Sequence, residues 1–221
     1  MLGLAAPVEA ATRVFTITSF EAIRVDAPVE VVITTGAGAS ARAEGDQAAL
    51  DRLKLDVSGR LLAVTMDRAR PGEKGAGRAI LRLSTGEIGR IVLTGGGSVS
   101  VSRMKGLRGG IVLGGNGDIS VAAVDLDQLD LGVAGAGRAT LAGRAAVANV
   151  RVTGPGAVAA EGLRARQAVV ANDGPGNVAL TAEVTARVTA SGSGDVTIMG
   201  KAACSVDNRG TGRISCGGDA Y

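Results

Sequence analysis

The sequence predicts an all-β solenoid, a parallel β-helix-like stack of coils of about 18–20 residues each. A Gly-x-Gly tripeptide recurs seven times at a near-constant step. Short alternating apolar runs flank every copy. Bulky rings are almost absent, with Phe15, Phe20 and Tyr221 the only aromatics against 35 glycines. Self-similarity at this period is the signature of units that stack to share one core. A thin coil has room inside for Ala, Val and Gly but little room for rings.

The copies read GGGSVSV from Gly95, GNGDISV from Gly115, GAGRATL from Gly135, GPGAVAA from Gly154, GPGNVAL from Gly174, GSGDVTI from Gly192 and GTGRISC from Gly210. The second glycines are Gly97, Gly117, Gly137, Gly156, Gly176, Gly194 and Gly212, at steps of 20, 20, 19, 20, 18 and 18 residues. Ile91, Leu93, Ile111, Leu113, Val150 and Val152 precede corners; Val99, Val101, Ile119, Val121, Val196 and Ile198 follow them. Period-two alternation rich in β-branched residues and bounded by Gly is the strand signal. Glycine at this density would cost a helix about 1 kcal/mol per residue.

Each Gly-x-Gly therefore marks a corner. Its middle residue varies, and Pro155 and Pro175 fix φ near −65° there. That predicts a primed-type turn with positive φ at the first glycine. One coil then reads strand, tight corner, strand, looser return. Seven coils about 4.8 Å apart would make a rod on the order of 34 Å long.

The chain before the repeats divides as follows. Residues 1–13, beginning MLGLAAPVEAA, read either as the tail of a secretory leader ending in small residues or as a disordered chain end. Residues 14–221 read as a single β-solenoid domain, with 14–90 an irregular opening part and 91–216 the seven Gly-x-Gly coils. Within the opening part strands are expected at Val14–Thr18, Ile23–Asp26, Pro28–Thr34, Leu53–Val57, Arg60–Met66 and Arg78–Ser84, with Ile88–Thr94 leading into the repeats. Asp46 is placed to cap a short helix through about Leu53. Asp67–Gly77 is a charged Gly/Pro loop. The opening part must cover the end of the apolar stack and blunt its strand edge.

TSFEAIRVDAPVEVVITTG at 18–36 and ARAEGDQAALDRLKLDVSGRLLAV at 41–64, followed by the train of GSGDV-like turns, resemble the auto-transporter adhesin head GIN domain family. The resemblance implies a bacterial, exported, right-handed β-helix-like superhelix whose Gly-Ser-Gly motifs turn the chain between sheets. It also implies a shape similar to pectin-lyase solenoids without their catalytic residues, and a part in adhesion. Only GSGDV at Gly192 matches the commonest turn letter for letter. Turn roles carry over for Gly95, Gly97, Gly115, Gly117, Gly135, Gly137, Gly154, Gly156, Gly174, Gly176, Gly192, Gly194, Gly210 and Gly212; no active site does.

The residues themselves point the same way. Histidine is absent, which removes the commonest general base and metal ligand and argues against acyltransferase solenoids that use a catalytic His. Tryptophan is absent, so sugar-stacking platforms are missing. Asp125, Asp127 and Asp130 form the densest acidic group, readable as a Ca²⁺ or paired-carboxylate site, or as a solvated face with Leu126, Leu129 and Leu131 inward. GGNGD at Gly114 approaches the Ca²⁺ nonapeptide repeat, but the position of Asp118 holds Ser98, Arg138, Ala157, Asn177, Asp195 and Arg213 in other coils. A ligand set that changes at each coil cannot hold a row of ions. No phosphate-binding Gly-rich loop follows the required pattern. The net charge of +3 is scattered, without the basic stripe nucleic acid needs. No apolar run approaches the roughly 18 residues of a membrane-spanning helix.

Cys204 and Cys216, the only cysteines, flank Gly210 symmetrically, as Ala186 and Ile198 flank Gly192. They are expected to bridge across the last coil in an oxidising compartment; two buried thiols are the other reading. The expected function is a non-enzymatic adhesion or scaffolding module in the periplasm or on the outer cell surface. It would bind cell-surface polysaccharide, protein or its own copies, with no cofactor, no nucleic acid and no integral membrane segment. A carbohydrate-active lyase or hydrolase using Asp125 and Asp127, or a purely structural self-assembling unit, are the alternatives.

Overall fold

The computed structural model describes residues 11–69 and 77–220. The expected leader tail at 1–10 and the heart of the Gly/Pro loop lie outside the described residues. The opening part holds β1 (Ala11–Phe15), β2 (Ala22–Val25), β3 (Glu30–Thr35), β4 (Ser40–Gly45), α1 (Gln47–Arg52), β5 (Leu53–Ser58), β6 (Leu61–Met66) and β7 (Ala79–Thr85). The repeats supply β8 (Arg90–Leu93), β9 (Ser98–Val101), β10 (Met104–Leu113), β11 (Asp118–Val133), β12 (Arg138–Val152), β13 (Ala157–Asn172) and β14 (Val178–Ala190). They end in β15 (Val196–Met199), β16 (Ala203–Asn208), β17 (Ile214–Cys216) and β18 (Asp219–Ala220).

The repeat strands stack in parallel, each coil hydrogen-bonded to the one before. Seven corners bound about six complete turns, so there is one turn fewer than there are Gly-x-Gly copies. The return leg is not loose. In β11 the strand runs on from the corner for 16 residues, and its buried positions are Ile119, Val121, Val124, Leu126, Leu129, Leu131 and Val133. Spacing is two within a face and three at Val121–Val124 and Leu126–Leu129. Since alternation sends every second side chain inward, each three-residue step marks a bend. A coil thus has three faces. β13 repeats the pattern with Val158, Ala160, Leu163, Ala165, Ala168, Val170 and Asn172. Register shifts fall at the bends: at the first between Val121 and Val124, Thr140 and Ala142, and Ala160 and Arg164, and at the second between Ala165 and Gln167. At the first bend Gly143 takes φ +121°, and a Cβ on it would run into the Val124 carbonyl.

Stacking aligns inward side chains into columns. One runs Val99, Ile119, Ala139, Val158, Val178, Val196 and Ile214, all buried. Burying an aliphatic side chain of this size contributes about 1.5–3 kcal/mol, and no single coil could bury these on both sides alone.

The opening part is more regular than its sequence suggests. β2 and β3 form another turn of the same stack, pairing in parallel with β8 and β9. β6 and β7 lie in parallel beneath them. Chain order and spatial order therefore differ: β6 and β7, at the end of the parallel stack, come between β2–β3 and β8–β9 in the chain. Direction then reverses, with β5 antiparallel to β6, β4 to β7 and β1 to β4. Antiparallel strands end the stack, and α1 seats Ala49 and Leu50 in the core beside them. β1 runs over Ala11–Phe15 and pairs with β4 from Ala11 on. Asp46 precedes α1, but its side chain makes no capping bond; its carbonyl accepts from the Ala49 and Leu50 amides instead. At the far end β18 folds back antiparallel on β17.

Candidate functional site

The fourteen corner glycines come together in two columns along one edge of the stack. None has positive φ, which overturns the primed-turn expectation. The cause is close approach. A Cβ on Gly174 would lie 2.6 Å from the Gly154 carbonyl oxygen, and one on Gly95 would lie 2.8 Å from that of Ala27. At Gly115, Gly117, Gly135, Gly137, Gly192, Gly194, Gly210 and Gly212 the collision with the carbonyl one coil below is closer still. The corners also bond to one another, as in Gly156 N–H to Gly135 O at 2.9 Å and Gly176 N–H to Gly154 O at 3.2 Å.

Two sets of residues not assigned from sequence complete the corner. The side chain after the second glycine caps the equivalent amide one coil on. Asp118 accepts from Arg138 N–H at 2.9 Å, Asn177 from Asp195 N–H at 2.9 Å and Asp195 from Arg213 N–H at 2.8 Å. The Asp of GSGD forms a rung bond between coils; an Asp or Asn at a step of 18–20 was the available signal. Before the corner, Asn172 is fully buried, and its amide donates to the carbonyls of Gly176 at 2.9 Å and Gly194 at 3.1 Å. Asn208 does the same toward Gly212 at 3.2 Å.

Asp125 and Asp127 share the second face, while the bend after Leu126 turns Asp130 onto the third. Leu126, Leu129 and Leu131 point inward and are buried. Asp125 pairs with Arg144 on the next coil at 2.8 Å, and this hydrogen bond, with the positive charges of Arg144, Lys105 and Arg103, holds its carboxyl below the usual carboxylate range. Asp130 accepts from Asn149 at 2.7 Å and from Gln128 at 3.1 Å. Asp125 and Asp130 are thus on different faces and engaged by neighbours, while Asp127 stays on the second face with Asp125. Among the described residues no three His, Cys, Asp or Glu side chains gather as a metal site. No helix there is long and apolar enough to cross a membrane.

The outer faces differ. The first carries Ser100, Ser120, Thr140, Ala159, Ala179, Thr197 and Ser215 in one register column, a row of small side chains. The second carries Lys105, Asp125, Arg144 and Arg164 on successive coils. The third has a shallow groove of about 480 Å³ lined by Gly110, Val112, Asp130, Gly132, Asn149, Arg151, Val169 and Ala171, with Arg90 at its edge. Cys204 and Cys216 lie in the last turn with Cα atoms 6.2 Å apart and sulfurs in bonding contact, in register with Ala186 and Ile198.

Solved structures share this architecture. A putative adhesin from Bacteroides fragilis superposes with a TM-score of 0.83 at 19% identity, covering 96% of this chain and 99% of its own. A putative adhesin from Parabacteroides merdae gives 0.71 at 18% identity, covering 94% and 96%. A putative lipid binding protein from Parabacteroides distasonis gives 0.71 at 20% identity over the same shares, 94% and 96%. No curated protein matches the sequence. The family profile described as "Putative auto-transporter adhesin, head GIN domain" matches residues 19–202. A stack of Gly-cornered coils matched over most of its length in this way belongs to that family.

Proposed function

We propose that the chain is an exported, non-enzymatic adhesion module that presents a stiff β-solenoid surface in the periplasm or on the outer cell face. The observation that carries this reading is the state of the acidic residues: Asp125, which shares the second face with Asp127, is held by Arg144 on the next coil at 2.8 Å, and Asp130 lies on another face, bonded to Asn149. A carbohydrate-cleaving site would need two carboxylates facing one scissile bond. The names of the family and of the Bacteroides fragilis and Parabacteroides merdae structures support adhesion. Closure of a Cys204–Cys216 bridge fits an oxidising compartment. The fourteen corner glycines serve the stacking of coils, and cell-surface polysaccharide, protein or a second copy are the partners in view.

The test is a panel of immobilised bacterial and host polysaccharides, read both for retention of the protein and for release of reducing or unsaturated ends. Retention without cleavage is the expected result. Cleavage would overturn the reading and point to Asp125 and Asp127. Phosphatidylcholine vesicles belong in the same panel, because one structural neighbour is described as a putative lipid binding protein.

A further inference from the structure

The corner glycines are explained by the backbone packed against them. Gly110 and Gly132 are not. Both sit within strands on the third face and point outward, Gly110 in β10 and Gly132 next to the end of β11. Neither has positive φ. A Cβ on Gly132 would meet nothing within 4 Å, and one on Gly110 would meet only the Arg90 Cγ at 3.9 Å. Glycine inside a strand forgoes cross-strand packing and raises the entropy cost of folding, and it often marks a place where another molecule approaches closely. Here the missing side chains open the groove of about 480 Å³. Its apolar walls are exposed, with Val112 at 38% and Val169 at 44%.

The rim defines the ligand. Asp130, Asn149 and Arg151 stand on two successive coils beside the glycines. Asp130 and Asn149 are joined by a hydrogen bond of 2.7 Å, and Arg151 is held by Asp173 at 2.8 Å. They offer an acceptor, an amide and a donor at fixed spacing over an aliphatic floor. Asp130 and Arg90 flank Gly110 in one register column and offset each other, and Arg151 already has its counter-charge in Asp173, so no unbalanced positive charge is left for an anion. A fatty chain would strip water from Asp130 and Asn149 and return no hydrogen bonds, at a cost of about 1–3 kcal/mol for each such group. A pyranose meets all the conditions: C–H bonds on one face for Val112 and Val169, and hydroxyls that donate to Asp130 and accept from Asn149 and Arg151. The volume lies in the range of small-ligand sites, roughly 300–1,000 Å³.

We propose that the groove at Gly110 and Gly132 binds a neutral pyranose unit of a glycan chain. The proposal rests on the adhesion reading and gives it a site. A shallow groove without a stacking ring holds one sugar weakly, with a Kd on the order of 1–10 mM, so tight capture requires several units along a chain.

The test uses the full chain and saturation-transfer difference NMR with methyl α-mannoside, methyl β-glucoside and methyl β-galactoside. Gly132→Val fills the groove at a position with open space, so its melting temperature should equal or exceed that of the parent. Thr140→Val, on the first face, is the control. At least one glycoside should receive saturation from the parent and the control, with the signal reduced about tenfold or more in Gly132→Val. Transfer to none of the three glycosides, or transfer that persists undiminished in a folded Gly132→Val, overturns the proposal. Vesicle binding that Gly132→Val abolishes, with no sugar signal, also overturns it. Polysaccharide retention that survives Gly132→Val removes the groove but leaves the adhesion reading standing; absence of retention by the parent removes that reading itself.

Discussion

At the scale of single residues, the two kinds of glycine predict opposite mutational outcomes. Gly115→Val and Gly192→Val each drive a Cβ into the main chain of the coil below, which cannot move without moving the ladder. Overpacking against backbone should cost about 3 kcal/mol or more, a fall of roughly 6–12 °C in Tm for a chain of this size, measured by thermal unfolding. Gly132→Val should cost nothing. The primed turn expected at these corners does not occur, since none of the corner glycines has positive φ. Pro155 and Pro175 describe one turn and its dihedrals, whereas the collision comes from another turn some twenty residues away. Asp195 was equally legible as a letter and illegible as a role. Asp195→Ala should lose about 1 kcal/mol and speed hydrogen exchange at the Arg213 amide, while Asp195→Asn should keep both, since Asn177 already caps the Asp195 amide at 2.9 Å. Asp125 adds a pH dependence. Its carboxyl is held low by Arg144, so the stabilisation is present above the ordinary carboxylate value near 3.9 and is lost as pH falls through the lower folded value. A carboxyl-detected NMR titration should show the low midpoint in the parent and its return toward the ordinary value in Arg144→Ala.

At the scale of elements, β-branched alternation found the strands of the repeats because each buries one side chain in two. It failed at β4, whose buried residues are only Ala41 and Ala43 between Arg42 and Glu44. Small side chains next to charged ones carry almost no hydrophobic signal, and the strand is fixed by its partners β1 and β7. The two bends per coil were hidden for a related reason. A three-residue step in an alternating pattern is visible only once the inward set is known, and Ala occupies both inward and outward positions here. The last turn is the weakest element, since β17 has three residues and pairs with a two-residue strand on its outer side. A bridge across a separation of 12 residues should contribute about 2–3 kcal/mol. Cys204→Ser with Cys216→Ser should lower stability by that amount, with faster exchange confined to β16 and β17. Two free thiols on the unfolded, unreduced parent would show that the bridge does not form.

At the scale of the whole molecule, the period of the repeat was enough to read the architecture, because a stack of coils has only nearest-neighbour contacts. The end was not readable, because β6 and β7 lie beneath β2 and β3 although they follow them in the chain. Nothing local in a sequence records such an exchange of order. The one-dimensional design makes a direct prediction. A second copy of residues 118–137 inserted after Gly137 should fold as one more turn, with the circular dichroism of a β protein and a Tm within a few degrees of the parent. A copy cut out of phase with the corner should not.

The Cys204–Cys216 pair also bears on load. Tension entering from the C-terminal side passes the two-residue β18 and then meets β17, whose three-residue ladder with β15 would peel readily. Once bridged, Cys216 passes the force through sulfur to Cys204, into the six-residue register between β16 and β14. The bond then acts as a lockstitch: the last turn cannot unravel under pull, and resistance begins where the ladder is twice as long.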